Sequence, residues 1–146
     1  MEHKEVEILL IEDNRDEAEL TIRALKKHKL ANKLLHIDDG VEALEFIFGE
    51  GKYADKQEGF KPKLILLDLK LPKVDGLDIL RRIKSDERTK KFPVVVLTSS
   101  KEESDIVESY RLGANSYIVK PVNFESFTNA VADLGMYWLV LNQNFD

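Results

Sequence analysis

Residues 64–72 read LILLDLKLP, and this stretch decides the fold. The four apolar residues Leu64 to Leu67 show no polar alternation, which is typical of a strand buried on both faces of a parallel sheet. Asp68 follows the strand directly, and the loop after it carries Pro72. The stretch therefore predicts a buried parallel strand that ends in a carboxylate.

The same order of strand and helix repeats on both sides of this stretch. Asn14, with Glu17 three residues later, resembles an N-cap with its capping-box partner, and Asp39 is a second predicted cap. The predicted strands are Val6 to Ile11, Lys33 to Ile37, Leu64 to Leu67, Pro93 to Leu97 and Ser116 to Val119. The predicted helices begin at Asn14, Val41, Leu77, Glu102 and Asn123. This alternation predicts an α/β fold, a doubly wound five-stranded parallel sheet with helices on both faces and right-handed crossovers.

Two segments show no sustained periodicity. Residues 49–62 (GEGKYADKQEGFKP) are polar and contain three glycines, which predicts a long surface loop. Residues 84–91 (KSDERTKK) carry charges of both signs, which predicts a solvated helix end and loop rather than a binding patch.

Composition excludes several classes of function. The 146 residues fit one domain, with 43% hydrophobic and 34% charged residues, as in ordinary globular proteins. A net charge of -5 argues against direct nucleic-acid binding, and the absence of cysteine excludes thiolate metal sites and thiol nucleophiles. Residues 1–7 lack the apolar core of a signal peptide, and no apolar run reaches the length of a membrane span, so we expect a cytoplasmic protein.

Polar residues at the predicted strand ends form the candidate site. They are Glu12, Asp13, Asp68, Thr98, Ser99 and Lys120. The carboxyl ends of parallel strands meet at one sheet edge, where such folds bind ligands. Three carboxylates so close together repel one another, and oxygen ligands without cysteine or histidine favour Mg²⁺. Helix capping alone would not explain why Lys120 and Thr98 lie at the same edge.

This set of residues suits phosphoryl transfer. Asp68 would attack phosphorus in line, while Lys120 and the cation neutralise the charge that develops on the equatorial oxygens. Thr98 would donate a hydrogen bond to the same group. The product would be an aspartyl phosphate, a high-energy acyl phosphate suited to transient signalling.

The chain resembles the receiver domain of two-component response regulators. The resemblance rests on Glu12-Asp13, residues 68–72, Asp75-Gly76, Thr98-Ser99 and Lys120-Pro121, and it covers nearly the whole chain. It implies strand order 2-1-3-4-5 and one receiver domain over residues 1–146 with no separate output domain. It also implies a phosphoacceptor signalling protein rather than an enzyme, although one that can catalyse its own phosphotransfer and dephosphorylation.

The resemblance also implies a role for each site residue. Asp68 is the expected phosphoacceptor, phosphorylated by a histidine kinase. The expected Mg²⁺ ligands are Glu12, Asp13, Asp68 and the backbone carbonyl of Lys70. Thr98 and Lys120 would contact the phosphoryl group, and the Lys120-Pro121 bond would be cis. Tyr117 takes the aromatic switch position and would turn inward when Thr98 moves toward the phosphate, changing the face of helix four, strand five and helix five.

Lys70 departs from the commonest pattern of the family, because many receivers have a smaller or neutral residue there. Its charge could screen the phosphate or obstruct attacking water and so alter the lifetime of the phosphorylated form. A side chain that extends into solvent is the alternative explanation.

The C-terminal segment predicts a partner surface. An apolar stripe runs from Phe124 through Phe127, Val131, Leu134, Trp138 and Leu141, and further apolar residues follow Gly135. This excess predicts a homodimer through the C-terminal helix face, or another partner, with burial against the domain itself as the alternative. The long loop and the aromatic C-terminal helix are similar to stand-alone regulators that work with phytochrome-like kinases.

Two other functions remain open at this point. A pseudo-receiver would keep the fold as an interaction module without phosphorylation. An aspartate-nucleophile phosphohydrolase would carry a second aspartate where this chain has Lys70. A flavin-binding domain is disfavoured because no phosphate-cradling loop follows the first predicted strand.

Overall fold

A computed structural model describes residues 6–27, 33–56 and 62–133. Within them, strands and α-helices alternate: β1 (Ile8–Ile11), α1 (Arg15–Lys27), β2 (Leu34–Ile37), α2 (Gly40–Phe48), β3 (Leu64–Leu67), α3 (Gly76–Ser85), β4 (Val94–Thr98), α4 (Glu103–Arg111), β5 (Ser116–Val119) and α5 (Phe124–Asp133). The strands form one parallel sheet in the order β2-β1-β3-β4-β5. The expected fold and strand order are confirmed.

The central strands are buried on both faces, as their unbroken apolar runs predict. Alternate residues of β1, such as Leu9 and Leu10, enter two separate cores. One core lies under α2 and α3, and the other lies under α1 and α5. Because both faces are covered, the ends of the strands are the places where polar side chains reach solvent.

The helix caps agree with the sequence except in one detail. Asn14 Oδ1 accepts a hydrogen bond from the Glu17 amide at 2.9 Å, and Asp39 caps α2 through two amides. The reciprocal bond of a capping box is absent among the described contacts, so that part of the prediction is wrong. Instead, the Asn14 amide donates to Glu12 Oε2 at 3.1 Å, and the Glu17 carboxylate lies 3.3 Å from Lys120 Nζ.

Part of the segment predicted as an irregular loop is helical. A 3-10 helix covers Gly51–Lys56, while residues 57–61 lie outside the described part. Tyr53 anchors this helix, because its hydroxyl donates to Glu42 Oε2 at 2.8 Å and its ring packs edge-on against Phe46. A single short 3-10 segment leaves no periodic pattern in the sequence, which is why it was not predicted.

Most of the charged segment 84–91 is exposed, as predicted, but Lys84 and Thr89 make contacts that the sequence did not predict. Lys84 Nζ donates to the carbonyl of Phe92 at 2.7 Å and to Asn115 Oδ1 at 3.1 Å, and burial lowers the pKa of its ammonium. Thr89 is also buried, with its hydroxyl donating to a carbonyl of α3. These two side chains fix the turn that leads into β4.

The description of α5 ends at Asp133. Phe127 from the predicted apolar stripe is buried in the core under α1 and α5. The later members of the stripe, Leu134, Trp138 and Leu141, lie outside the described residues. Among the helices that are described, none has the length and apolar character needed to cross a bilayer.

Gly76 fixes the loop that carries Asp68. Its amide donates to the carbonyl of Leu69 at 3.2 Å, so α3 begins directly against the backbone that follows β3. A Cβ at this position would lie 2.5 Å from Leu69 Cα and 2.6 Å from the carbonyl oxygen of Asp68. Backbone atoms cannot move aside as a side-chain end can, so only glycine fits here.

We expect Gly76→Ala to lower the free energy of unfolding by about 1–3 kcal/mol or more, as overpacking does elsewhere. Gly40→Ala is the matched control, because its Cβ would meet only side-chain atoms, the nearest at 3.2 Å. Urea denaturation of both variants measures the two losses. A loss at Gly76 no larger than that at Gly40 would contradict the close backbone approach.

Candidate functional site

Strand register brings three carboxylates together. Ile11 of β1 pairs with Leu67 of β3, so Glu12 and Asp68 leave the sheet side by side. One oxygen each from Glu12, Asp13 and Asp68 lies within 4.8 Å of the others. Glu12 and Asp68 are only 2% and 4% exposed, whereas Asp13 is open to solvent.

Lys120 supplies the positive charge that this cluster requires. It follows β5, and its Nζ lies 2.5 Å from Glu12 Oε1 and 3.0 Å from Asp68 Oδ2. The side chain is 6% exposed, so the ammonium is held between two buried carboxylates. The Lys120-Pro121 peptide bond is cis, as the resemblance implied.

The charges in this cluster perturb one another. Burial raises the pKa of Glu12 to about 7; the hydrogen bond from Lys120 opposes this shift, and Asp68 adds to it. Burial alone would lower the pKa of Lys120, but its hydrogen bonds to Glu12 and Asp68 outweigh that effect and raise it. The lysine therefore remains cationic at neutral pH.

The end of β4 contributes side chains with hydroxyl groups to the site. Thr98 is fully buried at the end of β4, and its Oγ1 accepts a long hydrogen bond of 3.4 Å from the Ser100 amide. Ser99 is exposed and lines a cleft of about 170 Å³ together with Lys120, Pro121 and residues of α1. This cleft lies beside Lys120, whose side chain is itself only 6% exposed.

Tyr117 connects β5 to the loop after β4. Its hydroxyl donates to the carbonyl oxygen of Ser100 at 3.0 Å, and its ring packs against the core under α2 and α3. Burial raises the pKa of this phenol, with Asp105 adding to the shift and the Ser100 bond opposing it. The ring is half-buried, and its hydroxyl is bonded to the loop that directly follows Thr98.

The structure gives Lys70 a partner that the sequence did not predict. Its amide donates to Asp68 Oδ1 at 3.1 Å, but its Nζ lies 3.4 Å from Asp105 Oδ2 on α4. The ammonium thus pairs with α4 as well as extending into solvent.

Four contact residues around the site were missed by sequence reasoning. They are Glu17, His36, Ser100 and Asp105. His36 Nε2 lies 2.7 Å from the carbonyl oxygen of Glu12, and it could have been noticed as a polar residue in an apolar strand. Asp105 looks in the sequence like an ordinary acid in the first turn of a helix, so no signal marks it.

The donor set fits a hard divalent cation. All three clustered side chains are carboxylates, which Mg²⁺ and Mn²⁺ prefer, and within the described residues the cluster includes no histidine or cysteine. Asp13 is exposed to solvent, whereas Glu12 and Asp68, which both contact Lys120, are buried. Asp13 is therefore the one of these three carboxylates that a cation in solvent reaches directly.

Comparison with known proteins decides the family. A model of the response regulator receiver domain matches residues 8–132. The chain belongs to this family. Receiver domains are signalling proteins rather than classical enzymes, and they bind a divalent metal ion at the acidic cluster.

The chain is similar to several response regulators, some of which are named as phytochrome or bacteriophytochrome regulators. Response regulator Rcp1 of Synechocystis sp. is 38% identical over 90% of this chain and 88% of its own, and a structure of its Mn²⁺-bound form superposes with a TM-score of 0.73. The bacteriophytochrome response regulator AtBRR is 49% identical, with a TM-score of 0.81 over 91% of this chain and 94% of that one. The phosphorylated cyanobacterial phytochrome response regulator RcpA is 40% identical, with a TM-score of 0.74 over 92% and 94%.

We expect Mg²⁺ or Mn²⁺ to raise the melting temperature of this receiver. At a concentration 100 times the dissociation constant the gain is about 2.7 kcal/mol, and each kcal/mol shifts the melting temperature of a domain this size by about 2–4 °C. Asp13→Asn should abolish most of the shift without disturbing the buried pair. Asp38→Asn, which changes an exposed acid after β2, is the control, and an equal shift in all three proteins would contradict the assigned site.

Proposed function

We propose that Asp68 accepts a phosphoryl group from a phosphohistidine of a histidine kinase, with Mg²⁺ bound at the acidic cluster. The observation that carries this proposal is the placement of Lys120 between Glu12 and Asp68 at the strand ends. A buried lysine beside the attacking carboxylate is suited to neutralise a transferred phosphoryl group.

The transfer forms one bond and breaks one. A carboxylate oxygen of Asp68 attacks phosphorus, the N–P bond of the phosphohistidine breaks, and the imidazole leaves and takes a proton from solvent. Lys120 pairs with a phosphoryl oxygen, and the hydroxyl of Thr98 turns to donate to another. Glu12, Asp13, Asp68 and the backbone carbonyl of Lys70 would hold Mg²⁺, which would supply further neutralisation of charge.

The signal then passes to the face of α4, β5 and α5. Thr98 Oγ1 accepts from the Ser100 amide, and the Ser100 carbonyl accepts from the Tyr117 hydroxyl. When Thr98 turns toward the phosphoryl group, the loop that holds Tyr117 changes with it. The Tyr117 ring already packs inward against the core under α2 and α3, so we expect phosphorylation to favour this position and thereby to alter the surface made by α4, β5 and α5.

Phosphorylation fits the site better than either alternative. A pseudo-receiver would not need the full set of Glu12, Asp13, Asp68 and Lys120, all of which are present and brought together. A phosphohydrolase of the aspartate type needs an acid at position 70, where the structure has a lysine paired with Asp105.

Two observations support the proposed kinase and homodimer partners: the names of similar proteins and an exposed apolar face on α4. Similarity to AtBRR and RcpA supports a kinase of the phytochrome-like class as the phosphoryl donor. Val107 and Tyr110 of α4 are 58% and 50% exposed, which supports a homodimer that includes this face together with the C-terminal helix.

We expect acetyl phosphate with Mg²⁺ to phosphorylate the wild-type protein and not Asp68→Asn, as measured by intact-protein mass spectrometry. Asp75→Asn is the matched control, because Asp75 only caps α3 and asparagine caps as well. Omitting Mg²⁺ should greatly reduce labelling of the wild type. Equal labelling of wild type and Asp68→Asn would overturn the proposed acceptor.

The proposed dimer predicts that Tyr110→Lys weakens self-association of the phosphorylated protein in light scattering. Leu20→Lys is the control, because Leu20 is an apolar residue that is 61% exposed on α1, which packs against the other core. Weaker association of Leu20→Lys together with unchanged association of Tyr110→Lys would contradict a dimer interface on α4.

A further inference from the structure

The backbone of Lys70 lies beside Asp68, but the ammonium of its side chain contacts a different residue. The Lys70 amide donates to Asp68 Oδ1, so the side chain starts within reach of the carboxylate. Its Nζ nevertheless pairs with Asp105 Oδ2 at 3.4 Å, across the gap between the β3–α3 loop and α4. The long flexible stem of a lysine allows either position.

Asp105 is itself fixed in place. Ser100 Oγ donates to Asp105 Oδ2 at 2.6 Å, and Ser100 Oγ also accepts from the Glu102 amide at 3.3 Å. Asp105 is 17% exposed at its side chain, whereas the Lys70 side chain is 58% exposed. The acid is thus the fixed member of the pair, and the lysine is the one that can move.

The pair is weak enough to be exchanged. Ion pairs with a largely exposed member have small interaction energies, because water screens them and the lysine loses conformational freedom. A phosphoryl group carries close to two negative charges and offers three strong acceptor oxygens. A phosphoryl group on Asp68 would therefore compete with Asp105 for the same ammonium.

We propose that Asp105 is a positioning residue that holds Lys70 away from Asp68 and, after phosphorylation, limits how often Lys70 covers the phosphoryl group. This inference rests on the proposed phosphorylation of Asp68. In hydrolysis, water oxygen bonds to phosphorus, the P–O bond to Asp68 breaks, and inorganic phosphate leaves as a proton passes to solvent. An ammonium on the phosphoryl oxygens obstructs the approach of that water, so Asp105 shortens the lifetime of the phosphorylated form.

The test is a double-mutant cycle on the dephosphorylation rate of protein labelled with radioactive acetyl phosphate and then freed of it. Asp105→Asn removes the charge but keeps an acceptor for Ser100, and Lys70→Met removes the ammonium but keeps most of the stem. Glu108→Gln is the control, because it removes a charge from the same helix at a residue paired with Arg111.

We expect Asp105→Asn to slow dephosphorylation about two- to fivefold, the range that corresponds to a weak ion pair. In the Lys70→Met background the same change should have no effect, and Glu108→Gln should leave the rate unchanged. Asp105→Glu should restore most of the wild-type rate, because it returns the carboxylate.

Three results would overturn the inference. Asp105→Asn could leave the dephosphorylation rate unchanged, or it could raise that rate. It could also lower the rate by the same factor in the wild-type and the Lys70→Met backgrounds, which would show that its effect arises in α4 and not through Lys70. In each of these cases the wild type still incorporates phosphate, so the proposed function stands. A wild type that incorporates none would overturn the proposed function and this inference together.

Discussion

The structure depends on one electrostatic constraint, the burial of two neighbouring carboxylates that need a cation. Glu12 and Asp68 are nearly inaccessible and lie side by side because β1 and β3 are paired in register. Lys120 resolves the repulsion by contacting both. Removing one partner of such a buried set costs about 3–5 kcal/mol in other proteins, because it leaves an uncompensated charge. The site is therefore also a structural element that joins the ends of β1, β3 and β5.

The same constraint explains how the site responds to a ligand. A phosphoryl group on Asp68 would give Lys120 a new anionic partner, and the hydroxyl of Thr98 lies at the end of the neighbouring strand. Ser100 connects the strand ends to the surface of α4 and β5, because it forms hydrogen bonds with Thr98, Tyr117 and Asp105. In the proposed mechanism, a small change at the strand ends would thus reach α4 and β5 through one short loop.

Much of this arrangement could be predicted from the sequence, because parallel strands bring their carboxyl ends to one edge. That rule alone placed Asp68 beside Glu12, and the caps Asn14 and Asp39 followed from local chemistry. Contacts between distant side chains could not be predicted. The partner of Lys70 lies on α4, and the half-buried Lys84 bonds to the side chain of Asn115. The 3-10 helix after α2 is held against α2 by the contacts of Tyr53. In each case tertiary packing, rather than local sequence, decides the position of the side chain.

The central claim is that the carboxylate paired with Lys120 is the one that carries the phosphoryl group. Borohydride reduction of the phosphorylated protein converts an aspartyl phosphate to homoserine, and tandem mass spectrometry then locates the changed residue. The account predicts homoserine at Asp68 alone, in an amount that follows the extent of phosphorylation. Homoserine at Asp13 instead, or a phosphate that resists reduction because it is bound to Thr98 or Ser99, would contradict it.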